Sequence, residues 1–221
     1  MKKILPLGIL VSGSGSNLQS IIDHIESGKL DAVIRVVISN SPEAYARERC
    51  RRHNIPFVVI NHGDFPLRDA FDQQMIDVLQ SRGVELVIMA GFMRILTARF
   101  LSSFPLRIMN IHPALLPAFP GLHVQRKAVE YGVRFSGCTV HFADDGVDSG
   151  PIIIQAVVPV YEDDDEDSLA QRILKEEHKI YPQAIQWYVE GRLEVKGRKV
   201  YLREAEVSMN TPQHNPSLTI R

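Results

Sequence analysis

Cysteine is scarce in this chain: Cys50 and Cys138 are the two in 221 residues. Two thiols do not make a disulfide framework, so a reducing cytoplasm is the compartment that fits. Both are expected to be small packed hydrophobes rather than nucleophiles. Long hydrophobic runs are missing too, and no apolar stretch reaches the length of a membrane span. The run after Met1-Lys2-Lys3, Ile4-Leu5-Pro6-Leu7-Gly8-Ile9-Leu10-Val11, has some look of a signal peptide. It carries Pro6 and enters a glycine turn with no small-residue cleavage site, so a buried first strand accounts for it better. Charge of one sign is not in excess either. The formal net charge is −1 and no basic face dominates, which argues against nucleic acid as the main partner. There is no Pro/Gly/Ser-rich linker, internal repeat or low-complexity segment, so the chain is expected to form a single domain over 1–221. Zinc-ligand spacing, a Walker lysine and a nucleophile-elbow serine are all lacking, and no metal is expected.

What is present is an ordinary core-forming composition, 45% hydrophobic. Apolar runs alternate with helix-like segments through the first half. Strands are expected over 8–11, 33–39, 56–60 and 85–90, with helices over 16–25, 44–53 and 67–81. That rhythm predicts an α/β fold with a Rossmann-like, mostly parallel open sheet and helices on both faces. Ile34-Arg35-Val36-Val37-Ile38 and Leu86-Val87-Ile88-Met89 are nearly continuous in apolar character, as buried parallel strands are. The second half changes pattern. Strands are expected over 107–111, 139–143 and 152–160, and a helix over 121–131 ending at Gly132. Ser168 is read as the cap of a long helix to about Glu190, with Ile173, Ile180, Ala184, Trp187 and Tyr188 facing the core. A terminal hairpin is placed over 193–202 around Gly197, and Asn210 to Arg221 is expected to be loose.

The stretch Asn110-Ile111-His112-Pro113-Ala114-Leu115-Leu116-Pro117 carries the most chemistry. An amide and an imidazole two residues apart on extended backbone point the same way. Pro113 disfavours helix for His112. A histidine can move a proton while a neighbouring amide steadies an oxyanion. The plainer alternative is a strand end with a satisfied histidine.

Ser12-Gly13-Ser14-Gly15-Ser16-Asn17 joins the first strand to the first helix. Backbone N–H groups at such a turn attract phosphate. The dinucleotide fingerprint needs a third glycine where Leu18 stands, and an acidic residue where Ser39-Asn40 stand. A mononucleotide or sugar phosphate fits better than NAD or ATP, beside the alternative of a plain turn capped by Ser16 or Asn17. Gly91-Phe92-Met93-Arg94-Ile95-Leu96 follows a strand end, where open α/β sheets bind ligands. Arg94 could hold a flat heterocycle with an anionic tail, or could be a surface arginine in a loop that precedes a helix. Asp144-Asp145-Gly146-Val147-Asp148-Ser149-Gly150-Pro151 lacks the ligand spacing of a calcium loop. It is a solvated turn, or it supplies a carboxylate that favours the charged form of His112. His123 and His141 are taken as structural or supporting.

Together these segments resemble the phosphoribosylglycinamide formyltransferases, folate-dependent enzymes of purine synthesis. The pieces are Gly15-Ser16-Asn17-Leu18, Ala90-Gly91-Phe92-Met93-Arg94-Ile95-Leu96, Asn110-Ile111-His112-Pro113, Pro120-Gly121-Leu122-His123, Asp148-Ser149-Gly150-Pro151 and Glu177-His178, in the family's order. The match runs from about Ile9 to about Arg192. The resemblance implies a fold of formyltransferase type, a phosphate-binding half to about residue 104, a catalytic and folate half over about 105–194, and a tail after it. It implies that Gly15, Ser16 and Asn17 bind the substrate phosphate, and that Leu174, Lys175, Glu176 and Glu177 meet glycinamide ribonucleotide. Arg68, Met93, Arg94, Ile95, Leu96, Asn110, Asp144, Asp145, Gly146, Val147 and Asp148 would line the site of 10-formyltetrahydrofolate, the co-substrate. His112 would transfer the proton, Asn110 would donate to the oxyanion, and Asp148 would favour the charged imidazole. The implied partners are these small molecules, with a homodimer left open. Leu174 and Ala118 depart from the polar and basic residues that relatives can carry at those positions.

Overall fold

The computed structural model describes residues 3–204, so the expectation for 210–221 lies outside the described residues. Its first half alternates strand and helix: β1 (Leu5–Val11), α1 (Ser16–Glu26), β2 (Ala32–Ser39), α2 (Ala46–Arg52), β3 (Phe57–Val59), α3 (Arg68–Ser81) and β4 (Leu86–Met89). A short helix α4 (Ala98–Ser103) precedes β5 (Ile108–His112) and α5 (Val124–Tyr131). Then come β6 (Phe135–Phe142), β7 (Ile152–Pro159), the long α6 (Glu166–Val189), and a hairpin of β8 (Leu193–Lys196) and β9 (Lys199–Leu202). The strands form one sheet in the order β3-β2-β1-β4-β5-β6-β7-β9-β8. Pairing is parallel from β3 through β5 and antiparallel at β5/β6, β6/β7 and β8/β9.

Strand periodicity sends alternate residues to opposite faces. Leu5, Leu7, Ile9 and Val11 of β1 join Leu86 and Ile88 of β4 in a core covered by α1 and α6. Leu10, Val36, Val87 and Met89 face the other way, into a core covered by α3 and α4. Gly8 lies on that second face, where a Cβ would stand 2.3 Å from Leu79 Cδ2, so only a glycine lets α3 pack so close to β1. Helices therefore cover both faces of a mostly parallel sheet, as expected.

Helix α6 braces the first core. Asp165 caps it, accepting from Ser168 N at 2.8 Å while Ser168 Oγ accepts from Asp165 N at 3.0 Å. The cap is therefore Asp165, not Ser168; the serine closes the reciprocal box three residues later. Pro182 sits inside this helix and cannot donate to the carbonyl of His178. That carbonyl accepts from Ser20 Oγ of α1 at 2.8 Å instead, which turns a helix defect into a tie between two helices. The fully buried Tyr181 hydroxyl faces the carbonyls of Met89 at 3.0 Å and Met109 at 2.9 Å, fixing α6 over the ends of β4 and β5.

Other boundaries shift for local reasons. α5 starts at Val124 rather than 121, because Gly121 and His123 take left-handed φ of 84° and 55°. β6 begins at Phe135, earlier than 139, because it pairs with β7 from Phe135 to His141. Neither Ser16 nor Asn17 caps α1; Gly15 precedes it in left-handed conformation with φ 68°.

Candidate active site

Strand β5 ends the parallel part of the sheet, and its register sets Asn110 opposite His141 and His112 opposite Thr139 on β6. Asn110 and His112 share one face while Ile111, between them, packs into the core. His112 is buried, and both ring nitrogens meet acceptors. Nε2 is 2.8 Å from the Phe119 carbonyl, and Nδ1 is 3.3 Å from Asp148 Oδ2. Only a ring carrying both protons can donate to both partners at once. The 114–116 turn beyond β5 is held by Thr139, whose Oγ1 donates to Ala114 O at 2.7 Å and accepts from Leu116 N at 3.1 Å. Gln155 Nε2 donates to the Leu116 carbonyl at 2.9 Å.

Asp148 gathers the site. Its Oδ2 also accepts from Gly121 N at 2.9 Å, and its Oδ1 accepts from Asn110 Nδ2 at 3.3 Å. The second proton of that amide faces His141 Nε2 at 3.2 Å. Nδ1 of His141 bonds the Phe142 carbonyl at 2.9 Å, so it carries that ring's proton and leaves Nε2 as acceptor. Burial, the largest influence on His141, holds its pKa below the ordinary histidine value, which suits the neutral form. Sequence reasoning treated His141 as supporting, and the structure shows what it supports: the orientation of the Asn110 amide.

These side chains open on a cavity of about 440 Å³ at the carboxyl ends of β4 and β5. Met93, Arg94, Ile95 and Leu96 line one wall, and Asp144, Gly146, Val147 and Asp148 another. Met93, Ile95 and Val147 are 65%, 59% and 52% exposed, apolar side chains left uncovered beside the cavity. Asp145 does not line it. Nor does Arg68, whose guanidinium donates to the Ile95 carbonyl and borders a separate shallow groove with Leu67, Ile95, Leu96 and Thr97. Leu122, His123 and Val124 also line the cavity; the first two belong to the Pro120-Gly121-Leu122-His123 motif, for which the resemblance implies no binding role.

A second cavity of about 220 Å³ adjoins the first, with Gly91 and Met93 common to both. Ser12, Gly13, Ser14, Gly15, Ser16 and Asn17 line it, so the glycine turn does form a concave cradle. Ser12 Oγ ties the turn to the shared Met93 edge, accepting from Met93 N at 2.8 Å and donating to Asn40 Oδ1 at 2.6 Å. Arg49 backs the turn, its Nε 2.8 Å from the Ser14 carbonyl. Asn17 Nδ2 donates to Glu177 Oε2 at 2.7 Å, which ties the turn to α6. Burial holds the Glu177 carboxyl above its ordinary value, against the opposing effect of the Asn17 bond. Asn17 Oδ1 is buried without a partner, an acceptor free for a donor group. Leu174 is half-buried, Lys175 is exposed, and Glu176 pairs with Lys179 at 2.7 Å. Neither these three nor Glu177 lines either cavity; helical phase turns Glu177 inward onto Asn17 and leaves the other three aside. Ala118 is exposed on the loop after β5.

Both thiols are buried, and burial pushes Cys50 up to about 12 and Cys138 higher still. Neither offers a thiolate at neutral pH. Among the described residues no helix is long and apolar enough to cross a membrane.

A family model described as "Formyl transferase" matches residues 5–185. The phosphoribosylglycinamide formyltransferase of Escherichia coli (strain K12) is 42% identical over 194 residues, 88% of this chain and 92% of that protein. The trifunctional purine biosynthetic protein adenosine-3 of Drosophila melanogaster is 48% identical over 187 residues, but the match covers only 14% of that longer protein. Among solved structures, glycinamide ribonucleotide transformylase 1 from Symbiobacterium toebii aligns with a TM-score of 0.89 and 50% identity, over 90% of this chain and 94% of that one. With the fold, the strand-end site and these likenesses in agreement, the chain belongs to the formyl transferase family.

Proposed function

We propose that this chain transfers the formyl group of 10-formyltetrahydrofolate to the amine of 5′-phosphoribosylglycinamide, in purine biosynthesis. The observation that carries the reading is the junction of the two cavities. One is a backbone-lined turn suited to phosphate, the other has a largely apolar surface with a cluster of polar side chains at one side, and they share Gly91 and Met93. Asn110, His112 and Asp148 stand together in the wall of the larger, apolar one. The relatives named for this reaction match most of the chain.

The turn from Ser12 to Asn17 holds the phosphate through loop N–H groups and the start of α1. Asn17 Oδ1 and Glu177 receive hydroxyl groups of the sugar beside it. Met93, Ile95, Leu96 and Val147 cover the flat, largely apolar folate ring, and Arg94 meets its anionic tail. Arg68 steadies that wall through the Ile95 carbonyl. The substrate amine adds to the formyl carbon and pushes the carbonyl electron pair onto the formyl oxygen; when the carbonyl re-forms, the bond from that carbon to the folate nitrogen breaks. Asn110 and protonated His112 face the negative charge that develops on the formyl oxygen. The contacts of Asp148 to Asn110 and to His112, both 3.3 Å, are the long ones, and these the formyl oxygen can exchange for its own. Asp148 stays beside the imidazolium as its counter-charge, and the proton lost by the amine reaches the departing folate nitrogen. Residues to about 104 supply the phosphate turn and one folate wall, and residues 105–194 supply Asn110, His112, Asp148 and the opposite wall.

The test is incubation of the protein with 10-formyltetrahydrofolate, with and without glycinamide ribonucleotide. Tetrahydrofolate and formylated ribonucleotide in equal amounts, only when both substrates are present, support transfer. Tetrahydrofolate and formate without the amine would make the chain a hydrolase and sink the reading.

A further inference from the structure

The terminal hairpin touches the loop that carries Asp148. Strand β9 meets β7 at a single register pair, Ile152 with Lys199, just past the end of the 144–151 loop. Gly197, with φ 60°, makes the turn between β8 and β9 and projects Arg198 at its tip. Arg198 Nη2 donates to the carbonyl of Ser149 at 2.5 Å. That guanidinium makes no ion pair among the described residues. A long charged side chain thus spends its ordered contact on one backbone oxygen, next to Asp148.

The loop needs holding there. Asp148 has φ 50°, a left-handed conformation that costs a residue with a Cβ some energy, although aspartate bears it better than most. Ser149 is fastened at its other end as well, its Oγ donating to Asp144 Oδ1 at 2.6 Å. Gly150 then lies flush against β6, where a Cβ would collide with the Phe142 carbonyl at 1.8 Å. Residue 149 is therefore fixed by its hydroxyl, its carbonyl and its neighbour. With it fixed, the Asp148 carboxylate reaches Gly121 N, Asn110 and His112 together. The hairpin does not depend on Arg198 to stay in place, because Leu193, Val195 and Val200 pack on the core and Arg192 Nε donates to Arg203 O at 3.0 Å.

We propose that Arg198 is a positioning residue for Asp148, acting through the Ser149 carbonyl. This rests on the functional reading of Asp148 given above. Arg198→Ala should lower kcat roughly fivefold, the scale of one hydrogen bond, with KM for glycinamide ribonucleotide and the melting temperature unchanged. Arg198→Lys, which keeps a donor, should recover most of the loss. In an Asp148→Asn background the same Arg198→Ala change should have no further effect on kcat. Amide exchange over residues 146–150, followed by mass spectrometry, should quicken in Arg198→Ala and leave α1 untouched. An unchanged kcat, or an equal loss in the Asp148→Asn background, would overturn the proposal. Failure of the unmodified protein to transfer formyl would sink only the functional reading. Exchange over 146–150 would still decide whether Arg198 holds this loop, and no change in it would overturn the proposed positioning role.

Discussion

The imidazole of His112 lies between two acceptors, and the charged one is Asp148, whose Oδ2 stands 3.3 Å from Nδ1. The carboxylate is 14% exposed and the imidazole 5%, so water screens the pair little. Asp148→Asn keeps the shape and deletes the charge. It should reduce kcat by about 10²–10³-fold, the scale for losing support of the charge that develops on the formyl oxygen. His112→Ala should fall in the same range. The double mutant should lose far less than the product of the two, because the residues act as one unit. Multiplying losses in steady-state kinetics would mean they act separately.

Asn110 presents both amide protons to acceptors, His141 at 3.2 Å and Asp148 at 3.3 Å. In the proposed reaction the second is released to the formyl oxygen. Asn110→Ala should lower turnover by about 10²–10³-fold, the cost of one oxyanion donor, with small changes in both Michaelis constants. Near-normal turnover would remove Asn110 from the mechanism.

The phosphate turn should govern binding rather than chemistry. Asn17→Ala removes the donor to Glu177 and the free acceptor beside it. KM for glycinamide ribonucleotide should rise roughly tenfold, with folate affinity unchanged. Gly15→Val is a harsher change. Gly15 has φ 68°, and a Cβ there would stand 2.9 Å from Ala46 Cβ, so the variant should also melt lower. Loss of folate binding with nucleotide binding intact would show the two cavities assigned in reverse.

Much of this was legible because local chemistry and fold agree. The near-continuous apolar strands gave the parallel half, and Asn110-Ile111-His112 followed by a proline gave the face of β5. The contact of Asp148 with His112 was beyond reach of spacing, since it depends on β6 and β7 closing the 144–151 loop back over β5. The resemblance supplied that residue. Lys175 and Glu176 came in as neighbours of Glu177, and helical phase separates them from it. Arg198 gave no signal, because an exposed arginine in a hairpin turn is ordinary until its carbonyl partner is seen.

Glu177 links binding to stability. It is 6% exposed, and burial raises its carboxyl above the ordinary 4.5. The raised value makes the sign definite. Below about 4.5 both folded and unfolded chains keep the proton, and the acid costs the fold nothing. As pH rises from there, the unfolded chain releases its proton first, so stability falls until pH passes the raised folded value. Glu177→Gln removes the titration. It also offers an N–H to the unpartnered Oδ1 of Asn17 while accepting from Nδ2. The variant should therefore melt above the unmodified protein at pH 8, with the gap closing toward pH 4 by calorimetry. Binding of glycinamide ribonucleotide should weaken wherever the unmodified acid is ionised, because the sugar loses a charged acceptor, and should change little at pH 4. A gap that stays constant from pH 4 to pH 8 would show that Glu177 does not titrate across this range.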